Sequence, residues 1–350
     1  MSTWTLGIAW TVGSLIGGVE IPGEREIMGL TPEAQILTSG RQLRTRSVTN
    51  RLEQLSDRLL GSGQLFREYD NSVTRTVSET IASGKGNCLS FTLTFVALAR
   101  QAGMHAVVQD VGDALVWDRE GDVIYETRHV NAGVRVAGRW NTADFEPELI
   151  GSRDRHVSQI SDERALAYFH NNRAVETMND GRLLDAFFHA RRSLQLAEDH
   201  AGGWNTLGLV HRRAGDYESA EYAYLQGLEH DPEHSSTLTN LAALYERTGQ
   251  EAERAALAER LEEVQRYDPF HHFMEGIEAE RRGDLDEART YLQRAIRMHS
   301  DEHQFHYAAF RVYYAMERDR RAARALERAI ELAEGPPREE YAAKREQLRR

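Results

Sequence analysis

Apolar and polar positions follow two regimes along the 350 residues. From residue 165 onward, apolar and small residues return at helical spacing in stretch after stretch, parted by glycine-bearing turns. Glycine stands at Gly181, Gly215, Gly249 and Gly283, each 34 residues after the last, and one more step reaches Glu317. The flanks keep phase: GRLLDAFFHARRSL from 181, GDYESAEYAYLQGL from 215, GDLDEARTYLQRAI from 283 and ERDRRAARALERAI from 317. The copy from 249, GQEAERAALAERLE, is the most degenerate, with Arg254 where the others carry alanine. A period of this length predicts a helix–turn–helix unit used several times. Ala174, Gly208, Ala242 and Gly276 recur in the first helices, and Ala186, Ala220, Ala288 and Ala322 in the second. Small side chains there let two antiparallel helices pack closely. The turn glycines end the first helix of each unit, where positive φ is needed. One unit cannot bury its apolar face alone, so the units stack.

The first half has another texture. The pattern predicts an amphipathic helix over 42–60, a shorter one over 73–82, and a buried helix over 87–101 ending near Gly103. Short β-rich runs follow over 106–111, 114–118, 123–127, 129–136 and 140–145, separated by Gly112-Asp113, Glu120-Gly121 and Gly138. These separators are turn signals, so an antiparallel meander is expected. Residues 147–163 are polar and irregular and are expected to be a linker.

Cys88 is the one cysteine of the chain. That rules out an intramolecular disulfide framework and any multi-thiolate zinc site. A thiol becomes an acyl-transfer nucleophile when the thiolate is favoured, a base moves the proton, and a third group orients that base. Cys88 stands at the head of a helical run, where the helix dipole favours thiolate. His129 opens one predicted strand and Asp144 lies near the end of the next, 15 residues on. An antiparallel pair turning at Gly138 would set imidazole and carboxylate side by side. Singly, each residue has a plainer reading, Cys88 as a small buried hydrophobe and His129 as a structural histidine. In this order and spacing the three together point to a triad.

Two resemblances carry this further. The second half resembles the tetratricopeptide repeat, with Trp204, Leu207, Gly208, Ala220, Tyr224 and Pro232 at that family's signature places. The resemblance implies an all-α solenoid over 165–350, of about five repeats and a capping helix, whose first helices line a groove for a protein partner. Asn171 and Asn205, one period apart on first helices, are candidates to hold a peptide backbone or terminus there, or are plain helix asparagines. Pro269 comes three residues later than the family pattern, which predicts local distortion in the third and fourth repeats. GNCLSFT, RHVNAGVRV and RWNTADFEPE, in that order, resemble the transglutaminase-like superfamily. That resemblance implies an α+β papain/transglutaminase-like core over 41–150, with the triad Cys88, His129 and Asp144, and a linker over 151–164. It implies thioester chemistry on protein or peptide amides, as peptidase, amidase or cross-linker, with no cofactor. The oxyanion would rest on the Cys88 N–H and, by family analogy, on Tyr69; a packed tyrosine is the plainer reading. The alternative is a non-catalytic adaptor that works through its repeats while the triad lies idle.

Charge and the remaining motifs narrow the rest. A net charge of −12 argues against a life on nucleic-acid phosphates. No P-loop is present, since SGKGN lacks its pattern. The pairs His271–His272 and His303–His306 lack a carboxylate or thiol at ligand spacing, so no metal site is expected. Residues 4–19 are apolar and uncharged, too short for a bilayer span and without the basic flank of a secretory signal. Within the 1–40 segment they read either as a buried stretch or as a degenerate signal or anchor, the one route to a membrane. The compartment stays open between cytoplasm and the periplasmic or cell-envelope setting of several proteins the first half resembles.

Overall fold

In the computed structural model the described residues are 21–39, 47–60, 65–120, 123–143, 157–333 and 335–348. They fall into two compact units. The first draws on Met1–Val108, Val134–Asn141 and Ile160–His230, the second on Gln109–Gly133, Thr142–Gln159 and Asp231–Arg350.

In the first unit, helices α1 (Glu24–Met28), α2 (Pro32–Ser39), α3 (Val48–Leu60) and α4 (Val77–Ser83) all pack on α5 (Cys88–Gln101). Every side chain of α5 from Cys88 to Ala99 is buried, which its nearly unbroken apolar run requires. The Asn87 side chain caps α5 by accepting from the Ser90 N–H at 2.9 Å. Between α3 and α5, a two-residue strand β1 (Glu68–Tyr69) pairs in parallel with β2 (Lys85–Gly86). Gly84, at φ +69°, ends α4 just before β2.

Strands β3 (Ala106–Glu120), β4 (Val123–Val136), β5 (Arg139–Ala143) and β6 (Val157–Ile160) form one sheet in the order β5-β4-β3-β6. Two corrections follow for the predicted meander. The four short runs between 106 and 136 are two continuous strands; in β3 this is because Gly112, inside a strand, keeps its backbone donor and acceptor in the ladder. Part of the expected linker is strand β6. The β4–β5 connection is a two-residue turn with both central residues at positive φ, Ala137 at 49° and Gly138 at 84°. No papain-like core is shown among the described residues.

The C-terminal part is an all-α array of helical pairs. The first unit holds the helical pairs α6 (Asp162–Asn179)/α7 (Leu183–Leu196) and α8 (Ala201–Arg213)/α9 (Tyr217–His230). The second holds α10 (Ser235–Thr248)/α11 (Glu251–Arg266), α12 (Pro269–Arg282)/α13 (Leu285–Met298) and α14 (His303–Ala315)/α15 (Asp319–Leu332), then α16 (Gly335–Leu348). At every intra-pair turn one residue is left-handed: Gly181, Gly215, Gly249 and Gly283 at φ 73–86°, and Glu317 at 57°. Close approach explains the small residues. A Cβ on Gly208 would lie 2.4 Å from a ring carbon of Tyr224, and one on Gly276 would lie 2.7 Å from Leu292. The degenerate copy makes the most loosely packed helix of the five pairs, since Leu257 is the one buried residue of α11. Pro269 itself begins α12, and Asp268 caps it by accepting from the Phe270 and His271 N–H groups at 2.8 and 3.2 Å. At the far end Tyr341 of α16 stacks on Tyr307, ring centroids 4.0 Å apart, and closes the last pair. No described helix is long and apolar enough to cross a membrane.

Candidate functional site

Cys88 is the first residue of α5 and only 6% exposed. The β1–β2 pairing sets Tyr69 opposite Gly86, two residues before the cysteine. The Tyr69 hydroxyl therefore reaches the helix N-terminus and accepts from the Cys88 N–H at 3.3 Å. A Cβ on Gly86 would come within 2.8 Å of the Ser90 side chain, so only glycine lets β2 run this close to α5. Tyr69 itself is 36% exposed, which leaves this edge of the helix open to solvent.

Behind the cysteine lies a polar network. Asn87 donates through Nδ2 to Thr74 Oγ1 at 2.8 Å, and its Oδ1 accepts from the Ser90 hydroxyl at 2.9 Å. Ser90 Oγ in turn accepts from the Arg75 N–H at 2.8 Å. Arg75 pairs with Asp70 at 2.7 Å. The Ser72 hydroxyl and N–H, followed by Arg75, hold the Asp70 carboxyl down at about 2. The Thr74 N–H donates to Glu176 of α6 at 2.7 Å, and Glu176 also pairs with Arg173 at 2.9 Å. Burial raises the Glu176 pKa, opposed by these two partners. One signal for this network was present in the sequence: asparagine three residues before serine at a helix start is capping spacing. The tie to Glu176, 102 residues away, had none.

The other predicted residues stand as follows. His129 lies in β4, completely buried, as is its neighbour Asn131 but for a trace. It belongs to the second unit and Cys88 to the first. Asp144 lies outside the described residues. The structure thus brings Cys88 and Tyr69 together. Asn171 and Asn205 sit on the first helices α6 and α8, 6% and 2% exposed, and Asn171 Oδ1 has no hydrogen-bond partner among the described residues. Next to Asn171, His170 Nδ1 faces His189 Nδ1 of α7 at 3.0 Å. No group of three or more metal-ligating side chains occurs among the described residues, and His271 and His272 simply lie ring beside ring.

Tetratricopeptide-repeat family models match residues 201–234, 223–255 and 273–309. Photosystem I assembly protein Ycf3 of Prochlorococcus marinus (strain NATL1A) is 28% identical over 101 residues, 28% of this chain and 58% of that protein. Hsp70-Hsp90 organizing protein of Triticum aestivum is 32% identical over 96 residues, 26% of this chain and 16% of that one. The chain therefore spans between about one sixth and three fifths of the length of these relatives. Among solved structures, YrrB, a TPR protein with an unusual peptide-binding site, is 20% identical over 52% of this chain and 92% of its own, with a TM-score of 0.29. TTC0263, a thermophilic TPR protein of Thermus thermophilus, is 19% identical over 51% of this chain and 97% of its own, at 0.33.

Proposed function

We propose that this chain is an adaptor that holds a protein partner through the first helices of its repeats. The observation that carries this reading is the run of paired helices at a 34-residue period, with family matches between 201 and 309. Stacked units of this kind offer an extended surface rather than a reactive cleft. The relatives support it by name, one an assembly protein and one an organizing protein. The buried Asn171 carbonyl gives the surface a focus. Left unsatisfied it costs about 1–3 kcal/mol, and a peptide N–H entering between α6 and α8 would remove that cost. The test is chemical cross-linking with mass spectrometry in cells of origin, comparing the native chain with Asn171→Ala/Asn205→Ala. The same partner should be recovered from the native chain and from Cys88→Ala, and lost from the asparagine variant. Equal recovery from the asparagine variant would sink the assignment of the groove.

One specific observation favours a second reading, cysteine-dependent acyl transfer. The Tyr69 hydroxyl accepts from the Cys88 N–H at 3.3 Å at a helix N-terminus; with that bond opened, hydroxyl and amide would both be placed to donate to an oxyanion there. In that reading Cys88 attacks an amide carbonyl, His129 carries the proton to the leaving amine, and Asp144 orients the imidazole. Water or an amine then resolves the thioester. Rapid alkylation of Cys88 in the folded protein near neutral pH, slowed by His129→Ala, is the expected result. A thiol that reacts only after denaturation removes this reading and leaves the adaptor.

A further inference from the structure

We propose that a groove between the second helices of the last two repeats binds an acidic, extended peptide of a partner protein. The groove has a volume of about 430 Å³ and is lined by α13, α14 and α15. Arg321, Arg324 and Arg328 line it from α15, and that spacing puts all three on one helix face. Across from them stand Gln293 and Ile296 of α13 and Tyr313 of α14. None of these is among the first-helix asparagines, so the site is separate from the one proposed above.

Three guanidinium groups in a row run against a chain of net charge −12. Like charges at this spacing repel along a helix, and an anionic occupant relieves that repulsion. Local partners neutralise the row only in part. Arg328 pairs with Glu331 at 3.1 Å on an exposed surface, where such a pair is weak. Arg321 sits over the Tyr313 ring, 5.9 Å from its centroid, and keeps its charge. Arg324 is exposed and has no ion-pair partner among the described residues. A guanidinium offers a planar fork that fits a carboxylate with two hydrogen bonds.

The spacing selects the form of the occupant. Arg324 and Arg328 are four residues apart, about 6 Å along the helix axis. In an extended chain, side chains on one side repeat about every 6.6 Å. Two carboxylates in a Glu-x-Glu segment therefore meet two successive arginines, while an intervening or flanking apolar side chain lies against Ile296. Gln293 donates to the Tyr313 hydroxyl at 2.7 Å, which leaves the amide oxygen of Gln293 to accept from a peptide N–H. A nucleic acid also carries spaced anions, but a long polyanion meets the repulsion of the whole acidic chain, whereas a short peptide feels the local field.

The experiment is fluorescence anisotropy on the full chain with a labelled peptide of alternating Glu and Leu or Ile, beside its Gln counterpart and a single-stranded oligonucleotide of equal charge. The acidic peptide should bind, weaken as ionic strength rises through about 0.1–0.3 M, and exceed the Gln peptide by about tenfold or more, as two charged forks require. Arg324→Gln/Arg328→Gln should lose that preference with unchanged thermal unfolding, since both side chains are exposed. Asn171→Ala/Asn205→Ala should leave it intact, which separates this site from the first-helix groove. No binding of the acidic peptide, equal binding of its Gln counterpart, full binding by the arginine variant, or preference for the oligonucleotide each overturns the proposal.

Discussion

Glu317 occupies the left-handed turn that glycine fills in the four preceding repeats, at φ 57°. A side chain there costs roughly 1–2 kcal/mol in backbone strain, from which glycine's extra freedom in the unfolded chain must be subtracted. Glu317→Gly is expected to raise the unfolding free energy by about 1 kcal/mol, read as a higher urea midpoint at unchanged m-value. The four glycine turns have open space around a hypothetical Cβ, so strain in the backbone, not crowding, accounts for this effect. Gly208 is the opposite case. Its helix conformation would suit alanine, but the added methyl runs into Tyr224. Gly208→Ala should therefore destabilise by about 1–3 kcal/mol despite alanine's better helix propensity.

The first helical pair, α6 and α7, is joined across its core by the His170–His189 contact. Burial, then the neighbouring His189 and Arg192 charges, hold His170 down at about 3. Burial, then Arg173, holds His189 at about 4, with Asp185 pulling the other way. Both rings are neutral in the fold, one donating and one accepting. An unfolded chain takes up protons near pH 6.5 while the folded pair does not, so the unfolded state binds more protons between about pH 6.5 and 4. Stability is complete above that window and falls as the pH drops through it, by up to about 1.4 kcal/mol per pH unit for each histidine. The urea midpoint should decline from pH 7 to 5, and His170→Asn should flatten the decline; an unchanged slope would contradict this account of the pair. Helix α11 marks the other extreme of packing, with Leu257 alone buried. Amide exchange should be fastest there among the repeat helices, because opening it exposes little apolar surface.

On the scale of the whole chain, the cysteine-bearing helices and the first two repeats share one compact unit. Two long-range ties serve that unity. Glu176 of α6 accepts the Thr74 N–H, and Arg100 of α5 forks onto Asp162 at 2.6 and 2.9 Å. Replacing Glu176 with leucine strands the Thr74 donor, a cost of about 1–3 kcal/mol. Faster amide exchange over residues 74–90 should follow, with α14 and α15 of the second unit unaffected.

What the sequence determined by itself is whatever depends on period and on local backbone chemistry. A 34-residue repeat with small residues in fixed phase permits one close-packed helical pair per unit, and the period places the left-handed turns, four at glycine and the fifth at Glu317. The buried character of α5 was legible for the same reason, since its apolar residues cover every face. The strands were legible in kind but not in length, because Gly112 breaks a propensity pattern without breaking a hydrogen-bond ladder. Only the tertiary structure decided which side chains meet. The two-residue pairing of β1 with β2 brings Tyr69 to the Cys88 N–H, and Glu176 reaches Thr74 across 102 residues. Such contacts are set by how elements pack, and side-chain spacing along the chain carries no information about them. Cys88 stood out in the sequence as the one thiol; the fold adds that it heads a buried, capped helix with a hydroxyl at its N–H.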